Sequence, residues 1–192
     1  MTGFVRAGRR AAGVRTAAGD IPADHVVVAT GAWTPFLEGE LGCRVPIQPG
    51  KGYSVTFPPQ AAGPAHPLIF EEERVAVTPF RSGFRVGSTM EFAGYDATLD
   101  RNRLRLLTAA ADRYLREPPP GPAVEEWWGW RPMTPDGIPL IGPSPALANV
   151  WVAAGHNMLG MSMAPGTGKL VAELVTGAPP HLDPAPYAVT RF

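Results

Sequence analysis

Arg131 is the residue whose type and setting point most directly to chemistry. It lies in the segment 129–142, where glycines and prolines recur every few positions around Thr134 and Asp136. A guanidinium is permanently charged and planar, so it can hold a carboxylate through two parallel hydrogen bonds that lysine cannot match. We therefore take Arg131 as a candidate anchor for a carboxylate ligand. A structural ion pair is the alternative interpretation.

A second candidate is the segment 155–162, a run of small and apolar residues at the start of a predicted helix. Backbone N–H groups at a helix start are without intrahelical acceptors and carry partial positive charge, which favours a ligand that gains negative charge. The alternative interpretation is a plain glycine-rich turn from a strand into a helix.

Other chemical motifs fail on their spacing. The run 166–169 (Gly-Thr-Gly-Lys) resembles a phosphate-binding loop, but Met163 and Leu170 stand where that loop needs glycine and Ser or Thr. The four histidines lack metal-ligand spacing, and we find no Ser-His-Asp or Cys-His arrangement. The sequence therefore predicts no metal site and no catalytic nucleophile. It also contains no G-x-G-x-x-G dinucleotide-binding motif.

The residues before the first candidate are predicted to form short strands. Residues 4–33 indicate a β-meander whose last strand, 25–29, is apolar throughout and predicted to be covered on both faces, as in a parallel sheet. Residues 44–96 indicate mostly antiparallel strands. There, Gly50-Lys51-Gly52 is predicted to connect a strand at 45–47 to one at 53–57.

Two helices are predicted from apolar residues at helical spacing. The first spans about residues 100–116, with Asp100 as its cap, Arg101, Arg103 and Arg105 on a solvated face, and the prolines 118–120 after it. The second spans about 160–176 and ends at Gly177. The fold class is therefore predicted to be α+β, with a mainly antiparallel multi-stranded sheet and flanking helices.

Composition excludes several classes of protein. The formal net charge of zero offers no basic surface for nucleic acid, and no apolar run is long enough to span a membrane. The one cysteine, Cys43, rules out an internal disulfide framework and fits a reducing compartment. We expect a cytoplasmic protein that binds a small molecule.

Three segments, in the right order, resemble the FAD-dependent D-amino-acid oxidase and dehydrogenase family. Residues 26–33 (VVVATGAW) are similar to the strand that closes the family's FAD-binding domain. Residues 129–142 (GWRPMTPDGIPLIG) resemble its G-x-R-P-x-T-x-D-G-x-P-x-I-G segment. Residues 154–165 (AGHNMLGMSMAP) resemble its loop and helix start under the flavin ring. The resemblance runs from about residue 4 to about residue 178.

The resemblance implies a set of site residues. It implies that Arg131 binds the substrate carboxylate and that Tyr53 and Glu91, which follows Met90 at a strand end, face the substrate. It implies that FAD is contacted by Thr30, Gly31, Ala32, Trp33, Gly155, His156, Asn157, Met158, Leu159, Gly160 and Met161. Met158 stands where glycine oxidases carry a substrate-binding arginine. The loop is therefore more similar to that of D-amino-acid or hydroxyproline dehydrogenases, which argues against glycine or sarcosine as substrate.

The resemblance also implies a domain organisation and a reaction. Residues 1–43 would be part of an FAD-binding domain, 44–131 a substrate-binding sheet domain, and 132–192 a return to the FAD-binding domain. The reaction would be transfer of a hydride from the Cα of a D-amino acid or related secondary amine to flavin, giving an imino acid.

The absent glycine-rich motif leaves three alternatives open. In the first, the chain is a truncated C-terminal half of a longer enzyme. In the second, a partner chain supplies the dinucleotide-binding unit of a split flavoenzyme. In the third, the chain is a substrate-domain remnant that acts as a binding or interaction module. We expect the chain alone to hold FAD weakly, to be catalytically silent, and to self-associate, as a homodimer, across its 26–29 strand.

Overall fold

The computed structural model describes residues 1–60, 63–119 and 121–192. Its elements, in chain order, are strands β1 (Gly3–Ala7), β2 (Arg10–Thr16), β3 (Gly19–Pro22) and β4 (Val26–Val28), a 3-10 helix (Gly31–Leu37), helix α1 (Glu38–Leu41), strands β5 (Gln48–Phe57), β6 (Leu68–Phe70), β7 (Val75–Phe80) and β8 (Gly83–Glu91), helix α2 (Arg101–Asp112), strands β9 (Glu125–Met133), β10 (Leu140–Pro143) and β11 (Val150–Ala154), helix α3 (Gly160–Thr176), and a second 3-10 helix (Ala185–Tyr187). Of the prolines predicted to follow the first helix, Pro120 lies outside the described residues.

The chain divides into two compact units. Unit 1 comprises Met1–Pro49 and Arg131–Phe192, and unit 2 comprises Gly50–Trp130. These divisions fall close to the predicted domain boundaries at 43/44 and 131/132. The functional identity of each unit stays a prediction.

Unit 1 contains two three-stranded sheets. One is the antiparallel meander β1-β2-β3, and the other has the order β10-β11-β4, with β10 antiparallel and β4 parallel to β11. Their shared core includes Phe4, Leu41, Leu147 and Val152. The Asn149 side chain is fully buried and ties the two sheets together, because it bonds both backbone groups of Ala11 and the carbonyl of Asp24.

The strand β4 corrects one expectation. Its predicted parallel partner is present, but β4 lies at the edge of its sheet in the described structure, and Val27 is 44% exposed. The prediction that both faces of this strand are covered was therefore wrong at Val27. An unbroken run of valines cannot distinguish an edge strand from a central one.

Unit 2 is built around a sheet of order β6-β7-β8-β5-β9, in which the β6–β7, β7–β8 and β5–β8 pairs are antiparallel. Helix α2 packs on it through Leu104, Leu107, Ala110 and Ala111. Asp100 caps this helix by accepting a hydrogen bond from the Asn102 N–H. The predicted α+β fold with a mainly antiparallel sheet is confirmed.

Two local expectations were wrong. The segment 50–52 is not a connection between two strands, because residues 45–47 form no strand and Gly50-Lys51-Gly52 lies inside β5. Arg103 does not lie on a solvated helix face, because its guanidinium reaches Glu91 on β8. The contact that defines each residue comes from another strand or helix, which local sequence does not reveal.

Candidate functional site

Asn157 is the centre of the hydrogen bonding that joins the two candidate segments of unit 1. Its side-chain oxygen accepts from the Thr134 N–H at 3.0 Å, and its amide donates to the Gly137 carbonyl at 2.9 Å. Its backbone N–H donates to the Pro132 carbonyl at 3.1 Å. Asn157 has a φ of +53°, a left-handed conformation that asparagine tolerates better than most residues. The loop before α3 is therefore built on the segment that follows Arg131.

Gly155 lets the same two segments approach each other closely. Its φ is +82°, and a Cβ atom there would lie 2.6 Å from Cγ2 of Thr134. Both facts require glycine at this position. The structure identifies Thr134 as the neighbour that this glycine accommodates.

Arg131 directly precedes this contact region. Its side chain is half-buried, and burial lowers the pKa of its guanidinium. The group still remains charged, because the pKa of an arginine lies far above neutral. A partly desolvated cation is suited to bind a carboxylate with little competition from water.

The start of α3 presents apolar side chains to the surface. Met158, Leu159 and Met161 are 65%, 58% and 91% exposed, and the helix has no side-chain N-cap bond. The first N–H groups of a helix have no intrahelical acceptors. This surface therefore combines free backbone donors with three large apolar side chains, which suits a flat aromatic ligand that has polar edges.

His156 lies beside this surface. Its Nε2 is 2.9 Å from the Thr167 hydroxyl on α3, and burial lowers the pKa of its imidazole. Burial therefore favours the neutral form of the ring, and its contact with Thr167 links the loop to the helix.

A cleft of about 520 Å³ lies at the predicted segment 30–33. Its walls are formed by Met1, Ala29, Thr30, Gly31, Trp33, Phe36 and Leu37. Gly31 adopts a φ of +56°, and Trp33 and Phe36 are more than half exposed. Ala32 is 1% exposed and packs into the protein instead of lining the cleft.

Unit 2 brings Tyr53 and Glu91 together within a buried ion-pair cluster. The Tyr53 hydroxyl donates to Glu91 Oε1 at 2.5 Å, and Lys51 Nζ lies 3.3 Å from the same oxygen. Arg103 Nε contacts Glu91 Oε2 at 2.7 Å. The hydrogen bond from Tyr53, aided by Lys51 and Arg103, holds the pKa of Glu91 below its usual range. Glu91 is therefore a carboxylate whose two oxygens already have partners.

Lys51 is the buried centre of the cluster. Its side chain has no solvent exposure, and it also pairs with Asp96 at 3.1 Å. Burial alone would lower the pKa of Lys51, but its contacts with Tyr53, Asp96 and Glu91 outweigh that effect and raise it. The tryptophan ring of Trp128 lies 5.4 Å from the ammonium.

A β-bulge aims Glu91 at this cluster. The β5–β8 register shifts between Gly52 and Tyr53, opposite Ser88 and Thr89, which have φ values of +123° and +43°. Such conformations are costly for residues with a Cβ and persist only where their surroundings enforce them.

The described residues contain no cluster of three or more potential metal ligands, and none of their helices could cross a membrane.

Comparison with known proteins decides the family. A family model described as FAD dependent oxidoreductase (DAO) matches residues 1–174. The chain belongs to this family. Its similar relatives include a D-amino acid dehydrogenase of Granulibacter bethesdensis, 36% identical over 99% of this chain and 46% of that protein. A glycine oxidase of Pseudomonas putida is 42% identical over 98% of this chain and 51% of that protein.

Solved structures agree with this assignment to the FAD-dependent oxidoreductases. Glycine oxidase from Geobacillus kaustophilus matches with a TM-score of 0.81 and 28% identity, over 93% of this chain and 48% of that one. L-proline dehydrogenase from P. horikoshii matches with a TM-score of 0.81 and 28% identity, over 99% and 52%. The chain spans about half the length of the curated relatives it matches.

Sequence reasoning missed three residues that make long-range contacts in the structure: Lys51, Asp136 and Arg191. Lys51 gave no signal beyond its two flanking glycines. Asp136 was noted only as part of a motif, and its carboxylate accepts a hydrogen bond at 2.8 Å from Nε of Arg191, which lies 55 positions away. Pairings over such distances leave no periodic pattern, so the sequence alone could not connect these residues.

Proposed function

We propose that this chain supplies the amino-acid-binding and flavin-ring-binding parts of an enzyme that oxidises the CH–NH bond of a D-amino acid or related secondary amine. The observation that carries the proposal is the Asn157 network, which builds the loop before α3 directly on the segment carrying Arg131. One hydrogen-bonded framework within unit 1 thus holds both Arg131, which would bind a carboxylate, and the start of α3, which would contact a flavin.

Arg131 would bind the substrate carboxylate. A guanidinium can bind a carboxylate through two parallel N–H donors, and the partial burial of this one strengthens the attraction by limiting screening from water. Holding the carboxylate at two points would fix the orientation of the substrate Cα. Such positioning of the reacting atom contributes to the rate enhancement.

Two surfaces of unit 1 fit the flavin. The first N–H groups of α3 would favour negative charge on the ring, and the exposed Met158, Leu159 and Met161 offer apolar contact. The cleft at Thr30, Gly31 and Trp33 offers a second apolar surface. When bound, FAD would accept the hydride from the substrate Cα, and the protein contributes orientation and electrostatics.

Tyr53 and Glu91 remain predicted substrate-facing residues. Their polar atoms already bond each other, Lys51 and Arg103. We infer that their first effect is to hold β5, β8 and α2 in place, and that any effect on the substrate is exerted through that arrangement.

Because the chain alone is expected to be catalytically silent, the test adds the dinucleotide-binding unit as a second chain and loads the complex with FAD. It compares the oxidation of D-alanine and D-proline by this complex with that by the same complex carrying Arg131→Lys. We expect Arg131→Lys to raise KM about ten- to hundredfold, the cost of one charge-assisted hydrogen bond. FAD affinity should stay unchanged, because the substitution leaves the loop before α3 intact.

Arg85→Lys is the matched control, because Arg85 forms an exposed ion pair with Glu125 in unit 2. Its KM should equal that of the unmodified protein. An unchanged KM in Arg131→Lys would show that Arg131 is structural and would overturn the proposal.

A further inference from the structure

The side chain of Arg191 makes more hydrogen bonds than a surface ion pair requires. Its Nε and Nη2 hold the two carboxylate oxygens of Asp136 at 2.8 and 3.1 Å. Nη2 also donates to the Ile138 carbonyl at 2.6 Å, and Nη1 donates to the Pro139 carbonyl at 3.2 Å. The guanidinium therefore holds the whole turn 136–139, through its side chain and its backbone.

Arg191 is itself held from the other side. Nη1 donates to the carbonyls of Tyr187 and Ala188 at 3.3 and 3.2 Å, and the guanidinium lies 4.7 Å from the centre of the Phe192 ring. Nearby, Val189 is 3% exposed and belongs to the core of unit 1. Burial of Val189 thus anchors the segment that carries Arg191 independently of the guanidinium.

The turn held by Arg191 contacts the side chain of Asn157. Gly137, inside the turn, offers its carbonyl to the Asn157 amide, and the same amide lies 3.2 Å from the Thr134 hydroxyl. Asn157 in turn holds the backbone of Pro132, the residue after Arg131. Contacts therefore run without a gap from Arg191, through the turn 136–139 and Asn157, to both candidate segments.

We propose that Arg191 is a positioning residue for the site in unit 1. It fixes the turn 136–139, the turn fixes the left-handed conformation of Asn157, and Asn157 fixes the loop before α3 against the segment of Arg131. Only the last step, from these segments to bound amino acid and flavin, rests on the proposed function.

The experiment is amide hydrogen exchange on the full chain, comparing Arg191→Gln with the unmodified protein. The Asn157 N–H, bonded to Pro132, and the Leu159 N–H, bonded to His156, report on the loop. We expect exchange of a peptide covering 155–161 to accelerate by about tenfold or more, the effect of losing one charge-assisted hydrogen bond. Arg191→Lys should give a smaller acceleration, because an ammonium cannot reproduce the planar pair of bonds to Asp136.

Arg85→Gln is the control, because it removes an arginine–carboxylate pair in unit 2 and should leave 155–161 unchanged. Asp136→Ala is the second variant, and it should accelerate the same peptide because it removes the carboxylate that Arg191 holds in the turn 136–139. Acceleration confined to 136–139 and 185–192 would overturn the proposal, because Arg191 would then secure only its own segment.

The ligand readout separates this inference from the proposed function. In the FAD-loaded complex with an added dinucleotide-binding unit, Arg191→Gln should raise the KM for D-alanine while Arg85→Gln does not. If Arg131→Lys leaves KM unchanged while Arg191→Gln still accelerates exchange at 155–161, the proposed function fails and the positioning role of Arg191 stands. If exchange at 155–161 is unchanged, the positioning role fails whatever the ligand does.

Discussion

Replacing Lys51 by methionine tests the buried ion-pair cluster of unit 2. Methionine keeps the unbranched stem and fills most of the same space, so the change removes the ammonium without opening a large cavity. Removing one partner of a buried pair typically costs about 3–5 kcal/mol. Here Glu91 keeps Tyr53 and Arg103, and Asp96 is 43% exposed and can be hydrated. We therefore expect a loss at the lower end of that range, about 3 kcal/mol.

The assay is urea unfolding at neutral pH followed by tryptophan fluorescence, since Trp127, Trp128 and Trp130 all lie in unit 2. Arg101→Met is the matched control, because Arg101 forms a pair with Glu126 in the same unit and is 78% exposed. It should cost less than about 0.5 kcal/mol. A loss below about 1 kcal/mol in Lys51→Met would refute the reasoning, because the ammonium would then contribute no more than a surface charge.

Two further predictions concern unit 1. Gly155→Ala should lower the free energy of unfolding by about 2 kcal/mol, from the left-handed backbone and the contact with Thr134. The control is Gly166→Ala in α3, where the new Cβ would have nothing within 4 Å. It should be neutral or raise the free energy of unfolding by up to about 1 kcal/mol. Equal losses for the two variants in urea unfolding would contradict the prediction. Asp136 has a pKa lowered from 3.8 to about 2, chiefly by its hydrogen bonds from Arg191, so its contribution is present above about pH 4 and is lost as the pH falls toward 2. The Asp136→Asn variant should therefore be less stable than the unmodified protein by about 1–2 kcal/mol at neutral pH. In unfolding measured as a function of pH, this difference in the free energy of unfolding should shrink between about pH 4 and 2. A difference that does not change with pH would contradict the ion-pair explanation.

Local sequence predicted helices α2 and α3, because the interactions that define them lie between residues close together in the chain. Helix α2 follows from the apolar spacing of Leu104, Leu107 and Ala111 and from the Asp100 cap. Helix α3 ends at Gly177, whose φ is +71°, as expected for a glycine that terminates a helix. In both cases the decisive interactions lie within a few residues of each other.

The parts that sequence did not predict depend on distant partners. Gly50 and Gly52 favoured a connection, yet both lie in β5, where Lys51 and Gly52 pair with β8. Lys51 is there buried between two carboxylates. The sequence predicted no helix over Gly31–Leu37, which forms a 3-10 helix that contains Pro35. For the site, the family motifs identified Arg131, Gly155 and Asn157. The hydrogen bonds by which Asn157 joins the two segments, and the contacts of Arg191, became evident only from the structure.

The most direct test of the central claim is a titration of flavin fluorescence with the purified chain, using FAD and riboflavin in parallel. In the proposed function, unit 1 contacts the flavin ring, and the sequence has no G-x-G-x-x-G motif to hold a pyrophosphate. We therefore expect saturable quenching of the fluorescence of both flavins, with affinities within about threefold of each other (less than 1 kcal/mol). We also expect FAD to be lost on gel filtration. No quenching of either flavin, or tight binding of FAD for which riboflavin cannot compete, would contradict the proposed function.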